Sequence, residues 1–328
     1  MGPLWVSAAL GNGANPAGEY EVRRSANRGV AGVIIALSRI SMYSSTSPQA
    51  VDYIHSALDW LEDDQASADA GMAGLHFGDA GVTVAFAEAA RSGFITQSRA
   101  LTFARRHLTA PCDWLDVTHG AAGQALAALS CTRLLGPDPI FRNVLGEAAR
   151  HLVTTQNSDG AWITPDGVAG MSGDILTGFA HGVAGCGYAL AQVAMATKDA
   201  EASAAAEAAG DWLLRTAARD GNSIAWAYSV QEPNRWSWWC HGAPGIGLTL
   251  AALYTLTGRG RYADAARATI TDPESAHSNL SQCHGTSGLL EAAIDVHRAL
   301  DTTSRPAYSR LTQCLLSMAR ETRGHGLT

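Results

Sequence analysis

The sequence is poor in charge, in aromatic side chains and in long apolar runs. Asp, Glu, Lys and Arg make up only 16 % of its 328 residues, against about 25 % in an ordinary soluble domain. A chain with so few charges must bury many side chains or set them against one another. Phe, Trp and Tyr contribute 7 %, and β-branched residues are sparse beside Ala and Gly. That balance disfavours sheet and favours closely packed helices. The formal net charge is −7 and no basic stripe is present, so a nucleic-acid partner is not expected. No run of about 20 apolar residues occurs, so no membrane span is expected. The opening MGPLWVSAALGNGANPAGEYEVRR has no basic residue ahead of its short apolar stretch and does not read as a signal peptide. Six cysteines are too few for a disulfide framework here. Thiols or thiolate ligands in a cytoplasmic protein are the expectation.

What the sequence does contain is a repeat. A short turn of form G-x-x-G followed by an apolar run returns six times: RGVAGVIIAL from Arg28, FGDAGVTVAF from Phe77, HGAAGQALAAL from His119, HGVAGCGYAL from His181, HGAPGIGLTL from His241 and HGTSGLLEAAI from His284. A helix apolar on most faces must be buried. Between copies lie amphipathic segments such as AVDYIHSALDWLEDD, with Val51, Ile54, Leu58 and Leu61 on one face. The unit is a helical hairpin, and such hairpins stack as an open solenoid or close into a toroid. Glycine at both ends of each turn permits unusual backbone conformations and close approach. Gathered at one end of a ring, six such turns would surround one mouth. We therefore expect an all-α fold, a single α/α toroid over residues 1–328 with 1–27 as a lead-in. The competing expectation is an open superhelix used for binding.

The sharpest local signal is a candidate zinc site. Cys240 lies in SWWCHGAPG, and Cys283 and His284 lie in SQCHGTSG. All three occupy the same slot, the turn leading into an apolar helix, and successive turns of a ring are neighbours. Two Cys and one His match the three protein ligands of a catalytic zinc, which keeps a fourth position open. Spacing alone does not compel this, since the cysteines form no compact metal motif and a free Cys is commonly a small buried hydrophobe. The remaining four cysteines read as core thiols. His119, His181 and His241 precede the first Gly of their turns, where they cap helices, bond a neighbouring turn or transfer protons. Asp116, in WLDVTHG, is placed to orient a His or to serve as a loop carboxylate. Trp236, Trp238 and Trp239 crowd Cys240, and burial is expected for at least two of them.

WCHGAPG with CHGTSG, the HG-x-x-G turns and the Ala/Gly-rich hairpins resemble the LanC-like lanthionine cyclases, most closely the cyclase domains of fused lanthionine synthetases. The resemblance runs from about Gly29 to the end. It implies an α/α toroid around a zinc ion held by Cys240, Cys283 and His284. It implies addition of a substrate cysteine thiolate to dehydroalanine or dehydrobutyrine of the same precursor peptide, closing a lanthionine or methyllanthionine ring. The family's Asp matches Asp116 and its AHG histidine matches His181; where stand-alone members carry Tyr, this chain has His241. The addition creates an enolate, which needs electrostatic stabilisation and then a proton. His181 with Asp116 is the first expectation for that proton, and His241 the second.

Two departures stand out. The slot in which the family often carries an enolate-stabilising Arg holds Trp236, with Arg235 the nearest arginine. The family toroid also has seven hairpins, where six are legible here. No kinase or lyase region is recognisable, so a separate or fused dehydratase is an expected partner beside the dehydrated precursor peptide. Competing readings are a LanC-like protein that adds glutathione to dehydroamino acids, a non-catalytic peptide- or partner-binding toroid, and a carbohydrate-active toroid. The last needs two flanking carboxylates, and only Asp116 and Asp79 sit at turn positions.

Overall fold

A computed structural model describes residues 7–8, 20–63, 71–109, 112–167, 171–221, 223–270, 280–300, 309 and 312–317. Helices dominate. The first helices of successive hairpins are α1 (Val30–Ser41), α3 (Asp79–Arg91), α5 (Ala121–Leu135), α7 (Val183–Thr197), α9 (Ala243–Thr257) and α11 (Thr286–Ala299). Each begins at one of the repeated glycine turns. The second helices are α2 (Pro48–Asp63), α4 (Gln97–His107), α6 (Pro139–Thr155), α8 (Ala200–Thr216) and α10 (Gly260–Ala268), with a further helical stretch at 312–317. Among the described residues, strand is confined to two short antiparallel pairs: β1 (Ser7–Ala8) with β2 (Tyr20–Glu21), and β3 (Ala218–Asp220) with β4 (Ser223–Ala225). Also among the described residues, no helix is long and apolar enough to cross a membrane.

The chain divides into two compact units, Met1–His151 and Leu152–Thr328. In the first unit α3 packs against α1, α4 and α5; in the second, α7 packs against α8 and α9, and α9 against α10 and α11. Helices hemmed in by several neighbours are buried nearly all round. Every residue of α3 from Asp79 to Ala89 is buried, and so is every residue of α9 from Ala243 to Leu253. Ala and Gly make this possible, because small side chains let helix axes approach closely. The expectation of all-round burial fails for α1 and α11. They bury one stripe each, Val30, Ala31, Ile34 and Ser38 in α1, and Leu289, Ala292, Ala293 and Val296 within that of α11. The second helices are amphipathic in the usual way: α4 buries Ala100, Phe103, Ala104 and His107 at helical spacing.

The two kinds of helix start differently. In α4 and α8 a side chain caps the N-terminus: Thr96 Oγ1 accepts from the Arg99 N–H, and Asp199 accepts from Glu201 and Ala202. The glycine-turn helices with described caps have no side-chain cap. In α1, α3, α5 and α7 the first N–H instead donates back across the turn. Val30 donates to the Arg23 carbonyl (2.8 Å), Asp79 to Met72 (2.8 Å), Ala121 to Trp114 (2.9 Å) and Val183 to Leu176 (2.9 Å). To close this loop the chain must pass against itself. A Cβ on the first glycine would lie 2.2 Å from the Arg23 oxygen at Gly29, 2.4 Å from the Trp114 oxygen at Gly120 and 2.2 Å from the Leu176 oxygen at Gly182. The second glycine is equally confined, 2.2 Å from the Val117 oxygen at Gly123 and 2.0 Å from the Trp239 oxygen at Gly245. Close approach, rather than a left-handed backbone, is therefore what most of these glycines serve. Gly29, Gly78, Gly120, Gly182 and Gly285 are extended, and only Gly242 has positive φ, 147°.

Successive turns within a unit are stitched by main-chain bonds. Asn27 donates to the His76 carbonyl, and Leu75 to that of Val117, in the first unit. Ala180 donates to Cys240 (3.0 Å) and Cys240 to Cys283 (3.4 Å) in the second.

This geometry predicts opposite outcomes for two alanines. Gly123→Ala forces a Cβ into the Val117 carbonyl and is expected to lower stability by at least about 2 kcal/mol in urea melts. Gly146→Ala, in α6 with nothing within 4 Å of the new Cβ, is expected to raise it by about 0.5–1 kcal/mol.

Candidate metal centre

In the second unit, Cys240 ends the segment before α9, and Cys283 and His284 end the segment before α11. The Cys240 to Cys283 main-chain bond aligns those two segments side by side. One ligand atom from each of Cys240, Cys283 and His284 falls within 4.8 Å of the others. Cys240 is buried at 2 % exposure, Cys283 is half-buried and His284 is exposed. The centre therefore has an anchored inner side and an accessible outer one. The Cys283 sulfur lies 3.9 Å from His284 Nε2. The imidazole of His284 stands edge-on to Trp238, with ring centroids 4.6 Å apart.

The donor set suits zinc. Bonds of about 2.3 Å to sulfur and about 2.0–2.1 Å to nitrogen, in tetrahedral geometry, set donors roughly 3.5–3.8 Å apart. The observed spacing, within 4.8 Å, needs a contraction of about 1.3 Å at most to reach that. Two soft thiolates with one imidazole are a zinc set rather than a magnesium or calcium set. The electrostatics point the same way. The Cys240 thiol donates to Cys283, which holds the Cys283 pKa below its ordinary value and raises that of Cys240; burial raises Cys240 further. The thiolate therefore forms more readily at Cys283 than at Cys240.

His241 follows Cys240 directly. Its ring stacks near that of His181, centroids 5.4 Å apart, and meets Tyr228 at 4.6 Å and Trp236 at 6.1 Å. The backbone of Tyr228 is pinned from both sides: its N–H donates to Asn234 (2.7 Å) and its carbonyl accepts from Thr177 (3.1 Å). Burial, with the negative charge of Asp174, pushes the Tyr228 hydroxyl pKa up. Tyr228 went unnoticed in the sequence because it sits in the long connection from β4 to α9, outside every repeated turn. Arg235 is exposed in that same connection.

Asp116 and His119 belong to the first unit, in the turn before α5. One Asp116 carboxylate oxygen accepts from the His119 N–H (2.5 Å) and the other lies 3.2 Å from His119 Nδ1. His119 packs between Trp114 and Phe77 and lines a cavity of about 280 Å³ with Met72 and Cys112. Asp79 is spent on structure: buried at the start of α3, it meets Arg24 (3.3 Å) and His107 (3.5 Å).

Two expectations need correction. Of the three tryptophans beside Cys240, only Trp239 is buried; Trp238 is half-buried and Trp236 is 37 % exposed. Trp239 lies against the Phe179 ring, while its two neighbours line up outward along the segment. Of the four other cysteines, Cys131 and Cys186 are buried as core thiols, whereas Cys112 and Cys314 are half-exposed. Desolvation pushes Cys131 up to about 12 and Cys112 up to about 11, so neither is a ready thiolate.

Comparison with known proteins supplies the remaining findings. The model of the family described as "Lanthionine synthetase C-like protein" matches residues 21–327. Among solved structures, nisin cyclase matches with TM-score 0.72 and 15 % identity over 92 % of this chain and 82 % of that one. Cellobiose 2-epimerase from Bacillus thermoamylovorans B4167 matches with TM-score 0.45 and 13 % identity, over 63 % of this chain and 65 % of that one. A family 76 glycoside hydrolase from a bovine Bacteroides thetaiotaomicron strain matches with TM-score 0.49 and 11 % identity, over 76 % and 60 %. The first match shows the fold class, the α/α toroid of helical hairpins expected from the sequence. At its identity it shows the fold alone, and the two weaker ones carry no argument.

The asymmetry of the thiol pair is directly measurable. In chelator-treated protein near pH 7.5, iodoacetamide is expected to label Cys283 first, because its pKa is held low and its side chain is half-exposed. Cys240, raised and buried, follows slowly. Peptide mass mapping over time reads the order, and faster labelling at Cys240 would contradict the assignment.

Proposed function

The chain belongs to the lanthionine synthetase C-like protein family, and from that premise we propose that it is a zinc-dependent lanthipeptide cyclase. The observation that carries this reading is the convergence of Cys240, Cys283 and His284 from two turns onto one point. When bound there, zinc would hold a substrate cysteine as its thiolate at neutral pH, where a free thiol of pKa about 8.5 is mostly protonated.

The chain's own residues supply the rest. Cys240 and Cys283 give the centre a fixed base, since their backbones are bonded to each other and that of Cys240 also to Ala180. His284 completes the set on the accessible side, where a peptide enters. The substrate sulfur adds to the β-carbon of dehydroalanine or dehydrobutyrine, and the alkene electron pair moves to the α-carbon and its carbonyl. The product needs one proton at the α-carbon, matching the one its thiol gave up. We assign that delivery to His181 and Asp116, with His241 as the second proton-carrying group. His241 has the geometry for a fixed role, held between the rings of His181 and Tyr228. Arg235 is assigned to the developing negative charge, in place of the arginine whose slot is Trp236. The substrate is a dehydrated precursor peptide, and a separate or fused dehydratase must supply it. The reading sets the reaction in the cytoplasm, where thiols remain reduced.

Elemental analysis of purified protein is expected to give about one zinc per chain. Cys240→Ala is expected to lose both the metal and ring formation, and a variant that keeps its zinc refutes the ligand assignment. Asp116→Asn is expected to keep the zinc and slow ring closure by about 10²-fold, the scale of a lost acid–base group. A linear dehydropeptide, offered with and without glutathione, separates ring closure from addition of an external thiol by product mass.

A further inference from the structure

The exposed Trp236 and half-buried Trp238 beside the metal centre remain without a role. Trp236 and Trp238 lie against each other, tilted, with centroids 4.5 Å apart and planes 30° apart, and Trp238 meets the His284 imidazole at 4.6 Å. Tyr228 backs Trp236 at 4.9 Å. The segment that carries them is fixed rather than loose. Ser237 bridges to Gly242, and a Cβ at Gly242 would meet the Trp236 oxygen at 2.1 Å and the Trp238 nitrogen at 3.1 Å. If these rings served only as packing, burial would be their natural state, as it is for Trp239. Instead Trp236 is 37 % exposed, and Val230 in the same connection is 64 % exposed. A rigid, partly open pair of indoles is suited to receiving a flat or branched apolar side chain.

Distance identifies which side chain. A peptide whose cysteine points at the centre has its next same-side residue two positions away, about 6.5–7 Å along an extended chain. The ring ladder covers that range, since Trp238 begins at His284 and Trp236 lies one ring further on. We propose that Trp236 and Trp238 form a substrate subsite that receives a bulky apolar side chain two residues from the reacting cysteine. The proposal rests on the cyclase reading above and adds to it a preference in the peptide.

The test compares dehydrated peptides that differ only at that position, Leu or Phe against Gly or Asp, with zinc content measured in parallel. Wild-type protein is expected to favour the bulky peptides by about tenfold in kcat/KM, expressed in KM, and calorimetry is expected to show the same order of affinity. Trp236→Ala is expected to keep its zinc and to bring the bulky peptides down to the level of the Gly peptide. A wild-type enzyme with no preference, or a preference that survives in Trp236→Ala, overturns the subsite while leaving the cyclase reading intact. A Trp238→Ala variant that loses zinc assigns Trp238 to holding His284 and removes it from the subsite. Wild-type protein that takes up zinc but closes no ring on any peptide overturns the cyclase reading, and the subsite with it.

Discussion

The hairpins that start with α1, α3, α5, α7 and α9 share one contact, the passage of a glycine against a carbonyl oxygen six residues earlier in the chain. At Gly29, Gly120 and Gly182 that oxygen lies where a Cβ would be, and the next N–H bonds across the gap to the same carbonyl. The main chain thereby caps its own helix, a task that Thr96 and Asp199 perform with side chains elsewhere. The consequence is chemical as well as structural. A turn that satisfies its helix with backbone alone leaves the side chains of its outer residues unengaged by capping. Those positions hold Asp116, His119, His181, Cys240, His241, Cys283 and His284. Asp116 does accept a main-chain bond in its turn, from the His119 N–H (2.5 Å).

The stitching between turns then sets chemistry. Because Cys240 donates to the Cys283 carbonyl, two residues far apart in sequence have their sulfur atoms brought together by the same main-chain register. Two adjacent thiols, one buried and one half-buried, cannot both ionise cheaply, so one is held low and the other high. A divalent cation resolves that conflict by neutralising both, which is why the pair suits metal better than it suits a free nucleophile. The two other thiols whose pKa is pushed up, Cys112 and Cys131, show the contrast: burial without such a partner simply raises them.

Membership of the lanthionine synthetase C-like family fits this division between scaffold and rim. Rings at least partly open to solvent, Trp236 and Trp238, and buried rings, Trp239 and Trp226, come from one short stretch of chain. Trp226 is held in place by donating to the Leu213 carbonyl (2.7 Å). The same residue type thus serves stability on one side of the segment and is open to solvent on the other.

Much of this was readable from residues alone. The repeated glycine turns, the apolar and amphipathic helices and the paired Cys-His-Gly slots follow from local pattern, because helix periodicity and backbone self-avoidance act over a few residues. The sequence by itself determined an all-α chain of helical hairpins and named the three residues most suited to a metal. Only tertiary structure decided how those hairpins pack. It showed that most turn glycines are needed for close approach rather than for φ, that α1 and α11 bury a single stripe, and that Asp116 is bonded to His119 in its own turn. It also decided that Trp236 is open while Trp239 is closed, and that Tyr228, in no repeated slot, reaches His241. Those outcomes depend on which segments lie side by side, and contacts between residues distant in the chain leave no period for a sequence to display.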